Sequence, residues 1–250
     1  MRFVGKSVFV TGGGSGIGRA TCLEFGAEGA AVTIGDIDLK AAEAVAQEIT
    51  AAGGRALAVA LDVTSYESAQ AAVAQAVQAW GGVDVLVNNA GWDRTSAFME
   101  QEPAFWDKVI GINYRGQLNC ARAVLPHMAE KGGGRIVNLA SEAGRNGSSG
   151  EAVYSGAKGA VIAWTKALAR EVARKGILVN CVAPGLVDTP FLTAVTSDTP
   201  GLMEAIIKGI PLRRVGKPRE IARVILFIAS DDASYLTGQT LSVSGGLSMI

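Results

Sequence analysis

Residues 7–18 read Ser7-Val8-Phe9-Val10-Thr11-Gly12-Gly13-Gly14-Ser15-Gly16-Ile17-Gly18, and the fold turns on them. Ser7 to Thr11 is a short apolar run closed by glycines, as expected of a strand buried on both faces of a parallel sheet. A helical pattern follows from about Gly16 to Glu28. Between the two, the chain must turn sharply, let backbone amides approach an anion and seat a helix close against a strand. Each requirement is met by a residue without a Cβ. The helix start then offers unpaired N–H groups and a partial positive charge. Strand, glycine turn and helix in that order predict a pyrophosphate cradle for a dinucleotide, with Gly12, Ser15, Gly16, Ile17 and Gly18 at the contact.

Outward from this turn, strand and helix patterns alternate. Strands are expected at Ala31–Ile34, Ala56–Leu61, Val83–Val87, Arg135–Leu139, Leu178–Ala183 and Thr240–Val243. Helices are expected over Leu39–Ala52, Ser65–Trp80, Pro103–Lys131, Tyr154–Lys175 and Arg219–Ala229. Such alternation with short links implies right-handed βαβ units: an α/β, doubly wound Rossmann fold with a parallel sheet covered on both faces. No linker divides the chain, so residues 1–250 are expected to form one domain. The exception to the rhythm is residues 186–211, where proline, threonine and serine suggest a lid over the sheet edge.

Composition narrows the function. Of 250 residues 49% are hydrophobic and 18% charged, which excludes a disordered chain. Twenty-three basic residues balance 23 acidic ones, so no global field draws in nucleic acid or an anionic membrane. No apolar run is long enough for a signal peptide or a membrane span, and a soluble protein is expected. Three scattered cysteines (Cys22, Cys120, Cys181) form no C-x-x-C pair and suit a reducing cytoplasm. With His127 the only histidine, a multi-histidine zinc site is impossible, and no metal is expected.

Asp36 follows the second strand at the distance where a carboxylate meets the adenosine ribose hydroxyls. A 2′-phosphate there would be repelled, and no basic residue adjoins Asp36, so NAD(H) is expected over NADP(H). Farther along, Tyr154-Ser155-Gly156-Ala157-Lys158 places Tyr154 and Lys158 one helical turn apart on one face. An ammonium there, with the nicotinamide charge, is expected to lower the phenol's pKa and make it a usable base. Ser141 ends a strand at the carboxyl edge, where open α/β sheets bind ligands.

The glycine turn, Asp62-Val63, Asn88-Asn89-Ala90-Gly91, Asn113, Ser141, Tyr154-x-x-x-Lys158 and Pro184-Gly185 occur in the order and spacing of one family. In these the chain resembles the short-chain dehydrogenase/reductase family, single-domain branch, over essentially its whole length. The resemblance implies an oxidoreductase interconverting a secondary alcohol and a ketone by hydride transfer. Tyr154 would be the acid/base, and Lys158 would lower its pKa and hold the nicotinamide ribose. Ser141 would polarise the substrate oxygen, and Asn113 would fix a proton-relaying water. Asp62 and Val63 would contact adenine, Asn89, Ala90 and Gly91 would line the cofactor site, and Pro184, Gly185, Val187 and Thr189 would hold the carboxamide end. It also implies a homotetramer paired through the helices at Gly111–Lys131 and Tyr154–Lys175, whose small residues include Ala157, Gly159, Ala160 and Ala163. The family often closes its last strand with Val-Asp-Gly-Gly; here Val243-Ser244-Gly245-Gly246 stands instead, which bears on assembly.

Trp92, Val153, Leu186, Phe191, Leu192, Leu202 and Met203 are expected to form an apolar substrate pocket. Local stretches around Trp92-Asp93, Gly147 to Tyr154 and Ser242 to Leu247 resemble a subgroup of the family acting on 2-hydroxycyclohexane-1-carbonyl-CoA. A small-molecule CoA thioester is therefore the first expectation, with Arg94, Arg145, Arg213 and Arg214 as cations near its mouth. Free cyclic or aromatic alcohols come second. Reduction of a 3-oxoacyl carrier-protein substrate comes third, disfavoured by Asp36. A non-catalytic NAD-binding regulator is the alternative of another class, opposed by the intact Tyr154, Lys158, Ser141 and Asn113 set.

Overall fold

A computed structural model describes residues 1–190, 192–193 and 202–249. Seven parallel strands form one sheet: β1 Ser7–Thr11, β2 Ala31–Asp36, β3 Arg55–Ala60, β4 Val85–Asn88, β5 Gly134–Leu139, β6 Ile177–Pro184 and β7 Thr240–Val243. Their spatial order is β3-β2-β1-β4-β5-β6-β7. The order reverses direction between β1 and β4, where Val10 pairs with Ile34 on one side and Val87 on the other. Ligands of open α/β sheets bind in the crevice at such a reversal.

Successive side chains of a strand face opposite ways, so each strand feeds two cores. Val8 and Val10 join a fully buried cluster with Ile34, Phe25, Val45 and Ile225. That cluster is closed by α1 Gly16–Ala27, α2 Leu39–Ala51 and a helix over Pro218–Ala229. Phe9, between the two valines, enters the opposite cluster with Val73, Leu86, Val124 and Ile136. Helix α3 Tyr66–Trp80 and the helices from residue 103 to 131 and from Ala152 to Val172 cover that face.

The helical span expected over Pro103–Lys131 falls into three parts. It comprises α4 Pro103–Ile110, a π-helical turn at Gly111–Arg115 and α5 Gly116–Lys131. A short turn, α6 Ala143–Asn146, and α7 Ala152–Val172 follow. The segment expected to break the rhythm contains α8 Leu202–Gly209, and α9 is Pro218–Ala229. All three cysteines are buried and free. Among the described residues no helix is long and apolar enough to cross a membrane, and no cluster of three or more His, Cys, Asp or Glu side chains could hold a metal ion.

Candidate active site

The strands deliver their carboxyl ends to one cleft of about 1330 Å³. Its near end is the glycine turn. Gly12 and Gly16 have φ of 63° and 51°, a region costly for residues with a side chain. A Cβ on Gly18 would overlap the Gly12 carbonyl oxygen, so this glycine lets α1 sit tight against the turn. Ser15 is the N-cap of α1 and makes no side-chain capping bond. The first turn's N–H groups therefore face the cleft without an intrahelical partner.

Asn89 braces this turn from β4. Its Nδ2 donates to the carbonyls of Thr11 at 2.9 Å and Gly12 at 3.0 Å. The backbone N–H groups of Asn89 and Ala90 both donate to Thr11 Oγ1 at 3.0 Å. The Asn89 amide nitrogen is thus committed to the turn, and Asn89, Ala90 and Gly91 together line the cleft. Asp36 stands at the end of β2, accepting from Gly14 N at 2.8 Å and Asp38 N at 3.0 Å. Asp62 and Val63 form the adjoining wall, the Asp62 carboxylate closing a turn with Thr64 N at 2.9 Å. Helix α3 is capped by Ser65. Opposite, Pro184, Gly185, Val187 and Thr189 line the cleft, with Val187 bridged to Gly216. These groups fit a dinucleotide: an amide-lined anion seat at a helix start, and a carboxylate beyond it.

Ser141, Tyr154 and Lys158 meet at the far end. Ser141 follows β5, and its Oγ accepts from Ala143 N at 3.2 Å. Tyr154 shares a side-chain hydrogen bond with Ser141. Lys158, 2% exposed, donates to the Leu139 carbonyl at 2.8 Å, with its ammonium 5.6 Å from the Tyr154 ring centroid. Burial lowers the Lys158 ammonium to about 8. Burial also pushes the Tyr154 phenol above its ordinary value. Glu151 and Asp93 push it the same way, and only the Ser141 hydrogen bond pulls it back. Burial is thus the largest influence on the phenol of the unliganded protein, set against the lowering expected from Lys158 and a nicotinamide charge together.

Asn113 sits fully buried in the π-helical turn. Its Nδ2 donates to Trp92 O at 2.6 Å and Val109 O at 2.9 Å, and its Oδ1 accepts from Trp92 N at 3.2 Å. Both amide hydrogens are spent on backbone carbonyls and the amide oxygen holds Trp92. A second buried chain ties the sheet to α7: Asn88 donates to Asn138 at 2.9 Å, and Asn138 to Thr165 at 2.9 Å. Nothing in the sequence pairs those three.

The apolar wall differs from expectation. Trp92, Leu186 and Leu192 line the cleft, but Val153 does not. One residue before Tyr154 on α7, it lies about 100° round the helix. Phe191 lies outside the described residues, as do the side chains of Leu202 and Met203. None of the four arginines expected at the mouth borders the cleft. Arg214 is paired with Glu220 through contacts of 2.6 and 2.8 Å, Arg213 donates to Lys208 O, and Arg145 to Thr240 O at 2.5 Å. Arg94 lies over the Phe105 ring at 5.4 Å. The cations on the cleft wall are Lys158 and Lys108, whose ammonium sits 3.7 Å from the Trp92 ring centroid. Sequence reasoning missed Lys108, and it missed Glu142 and Glu151, which border the same end.

A family model described as Enoyl-(Acyl carrier protein) reductase matches residues 12–248. The chain is 40% identical over 247 residues to 3-oxoacyl-[acyl-carrier-protein] reductase FabG of Thermotoga maritima, covering 99% of each. It is 41% identical over 244 residues to the (2S)-[(R)-hydroxy(phenyl)methyl]succinyl-CoA dehydrogenase subunit BbsD of Thauera aromatica, covering 98% of this chain and 97% of that one. Its fold is also similar to a crystal structure of 3-ketoacyl-(acyl-carrier-protein) reductase from Brucella melitensis complexed with NADH. The TM-score is 0.91 at 36% identity, over 98% of this chain and 99% of that one.

Proposed function

The chain belongs to the short-chain dehydrogenase/reductase family of oxidoreductases, and from that premise we propose that it is an NAD(H)-dependent enzyme interconverting β-oxoacyl and β-hydroxyacyl thioesters. The observation that carries the proposal is Tyr154, hydrogen-bonded to Ser141 and set beside buried Lys158 in the same cleft that holds the glycine turn. A protonated phenol suits reduction, where a ketone oxygen must receive a proton as charge builds on it. Ser141 and Tyr154 both present hydroxyls to that oxygen and orient it. Lys158 holds the end of β5 through Leu139 and keeps positive charge beneath the phenol below a pH of about 8. A nicotinamide dinucleotide on the Gly12–Gly18 turn would supply or accept the hydride, and Asp36 would select the form without a 2′-phosphate.

Sequence reasoning ranked 3-oxoacyl carrier-protein reduction third; the relatives favour it over the cyclic CoA ester. BbsD, named for a CoA ester, supports a thioester in either form, and 2-hydroxycyclohexane-1-carbonyl-CoA stays within the class. The apolar Trp92, Leu186 and Leu192 suit the acyl group, and residues 186–211 would act as the lid. A cytoplasmic homotetramer is part of the same reading; Ala163 on α7 is exposed and small enough for close helix contact. The test is NADH oxidation at 340 nm with acetoacetyl-CoA and acetoacetyl carrier protein, beside NAD reduction with cyclic alcohols. Turnover of the thioesters is expected. Oxidation of free cycloalkanols with no action on any β-oxoacyl thioester would overturn the proposal.

A further inference from the structure

Beyond β7 the chain turns back at Gly245 and Gly246, whose φ values are 64° and 90°, and brings Leu247 to the cleft wall. Hydrogen bonds seat this segment against the reacting end. Ser248 N donates to Ser244 Oγ at 3.3 Å, and the Ser244 and Ser242 hydroxyls are 3.2 Å apart. Ser242 Oγ in turn donates to the buried Glu142 carboxylate, next in sequence to Ser141. Asn146 Nδ2, at the end of α6, donates to Ser248 Oγ. Leu212 N donates to Gly245 O at 3.1 Å, joining the segment to the chain just past residues 186–211. Ser244, where the family often has aspartate, thus belongs to the seat. An aspartate there would set a second carboxylate one serine away from Glu142.

We propose that residues 244–248 form a wall of the acyl pocket and that Leu247 is a specificity-determining residue, covered by the substrate's acyl group and limiting its bulk. This rests on the thioester reading above. Leu247 borders the cleft and is 37% exposed, so its apolar surface is open to a group bound there. The ties to Glu142 and Asn146 place it at the Ser141 and Tyr154 end, away from Asp36. Its own N–H donates to Ser244 O at 3.2 Å, and the next N–H is held by Ser244 Oγ. With the backbone held on both sides, the size of the side chain sets the space left for the acyl group. A single methylene in an apolar pocket changes kcat/KM about tenfold or more, so a leucine here discriminates between acyl groups of different bulk.

The test is a graded series of β-oxoacyl thioesters: acetoacetyl-CoA, 2-oxocyclohexane-1-carbonyl-CoA and 5-tert-butyl-2-oxocyclohexane-1-carbonyl-CoA. The readout is the ratio of kcat/KM for the bulkiest to that for the smallest, with NADH affinity followed by fluorescence titration on the same samples. Leu247→Ala is expected to raise the ratio about tenfold or more, and Leu247→Trp to lower it by a similar factor. NADH affinity should stay within twofold of wild type in both, since the residue faces the acyl group and not the coenzyme. The opposite signs guard against a folding defect, which would slow every substrate alike. A ratio within twofold of wild type in both variants overturns the proposal, as does a loss of NADH affinity that matches the loss of activity. If no thioester is reduced but cycloalkanols are oxidised, the thioester reading falls. The wall is then decided by the same ratio taken between 4-tert-butylcyclohexanol and cyclopentanol. The same opposite shifts would uphold it, and an unmoved ratio would overturn it.

Discussion

Replacing Asp36 by asparagine removes one charge at the adenosine end of the cleft and keeps an oxygen to accept from Gly14 N, now bonded at 2.8 Å. Two like unit charges roughly 4–5 Å apart at an effective dielectric constant of about 20 cost about 3–4 kcal/mol, the scale of penalty a 2′-phosphate would meet beside the carboxylate. Asp36 is only half-buried, its charge is shared with the N–H groups of Gly14 and Asp38, and salt screens the cleft rim. About 2 kcal/mol is a fair remainder, or roughly 30-fold in kcat/KM. Asp36→Asn is thus expected to raise kcat/KM for NADP(H) about 30-fold relative to NAD(H), and loss of a charged bond to the ribose should lower NAD(H) use several-fold. Initial rates with both cofactors at fixed ionic strength measure the ratio. A wild type that prefers NADP(H), or a ratio moving less than threefold in Asp36→Asn, would refute the reasoning.

Two further perturbations follow from the geometry. Gly18→Ala puts a methyl group against the Gly12 carbonyl and 2.5 Å from Asn89 Nδ2, so turn and helix must part. A cost of about 1–3 kcal/mol is expected, seen as weaker NADH binding in fluorescence titration or as a lower Tm; both unchanged would contradict it. Asp93 has a carboxyl pushed by burial from 3.8 to about 6. Since its folded value lies above the unfolded one, stability is full below the unfolded value and declines as pH rises to about 6, then levels. Asp93→Asn should therefore raise Tm at pH 8 by about 2–4 °C for each kcal/mol recovered, and change it little near pH 4. Calorimetry at the two pH values shows whether the gain appears only at the higher one.

The sheet was legible because a strand buried on both faces reads as an unbroken apolar run, as in Val8-Phe9-Val10, and the glycine turn because its demands are local. The π-helical turn at Gly111–Arg115 was not, since one extra residue in a helix leaves apolar spacing nearly unchanged. The Asn88–Asn138–Thr165 chain joins residues 50 and 27 positions apart, so only the sheet order brings them together. The surroundings of Tyr154 were legible only in part: the neighbouring Lys158 is visible in sequence, whereas the burial around the phenol comes from the whole fold. The burial of Glu142 has no local signal in Ala140-Ser141-Glu142-Ala143; Ser242 meets it from a strand one hundred residues on.

The most direct measurement is single-turnover reduction of acetoacetyl-CoA by wild type and Tyr154→Phe, with NADH binding followed on the same samples. The phenylalanine variant should bind NADH as tightly as the wild type while the chemical step slows by about 10²–10⁴-fold, the usual worth of a positioned acid. A rate left within a few-fold of wild type, with the coenzyme bound, would contradict the assignment of the proton to Tyr154.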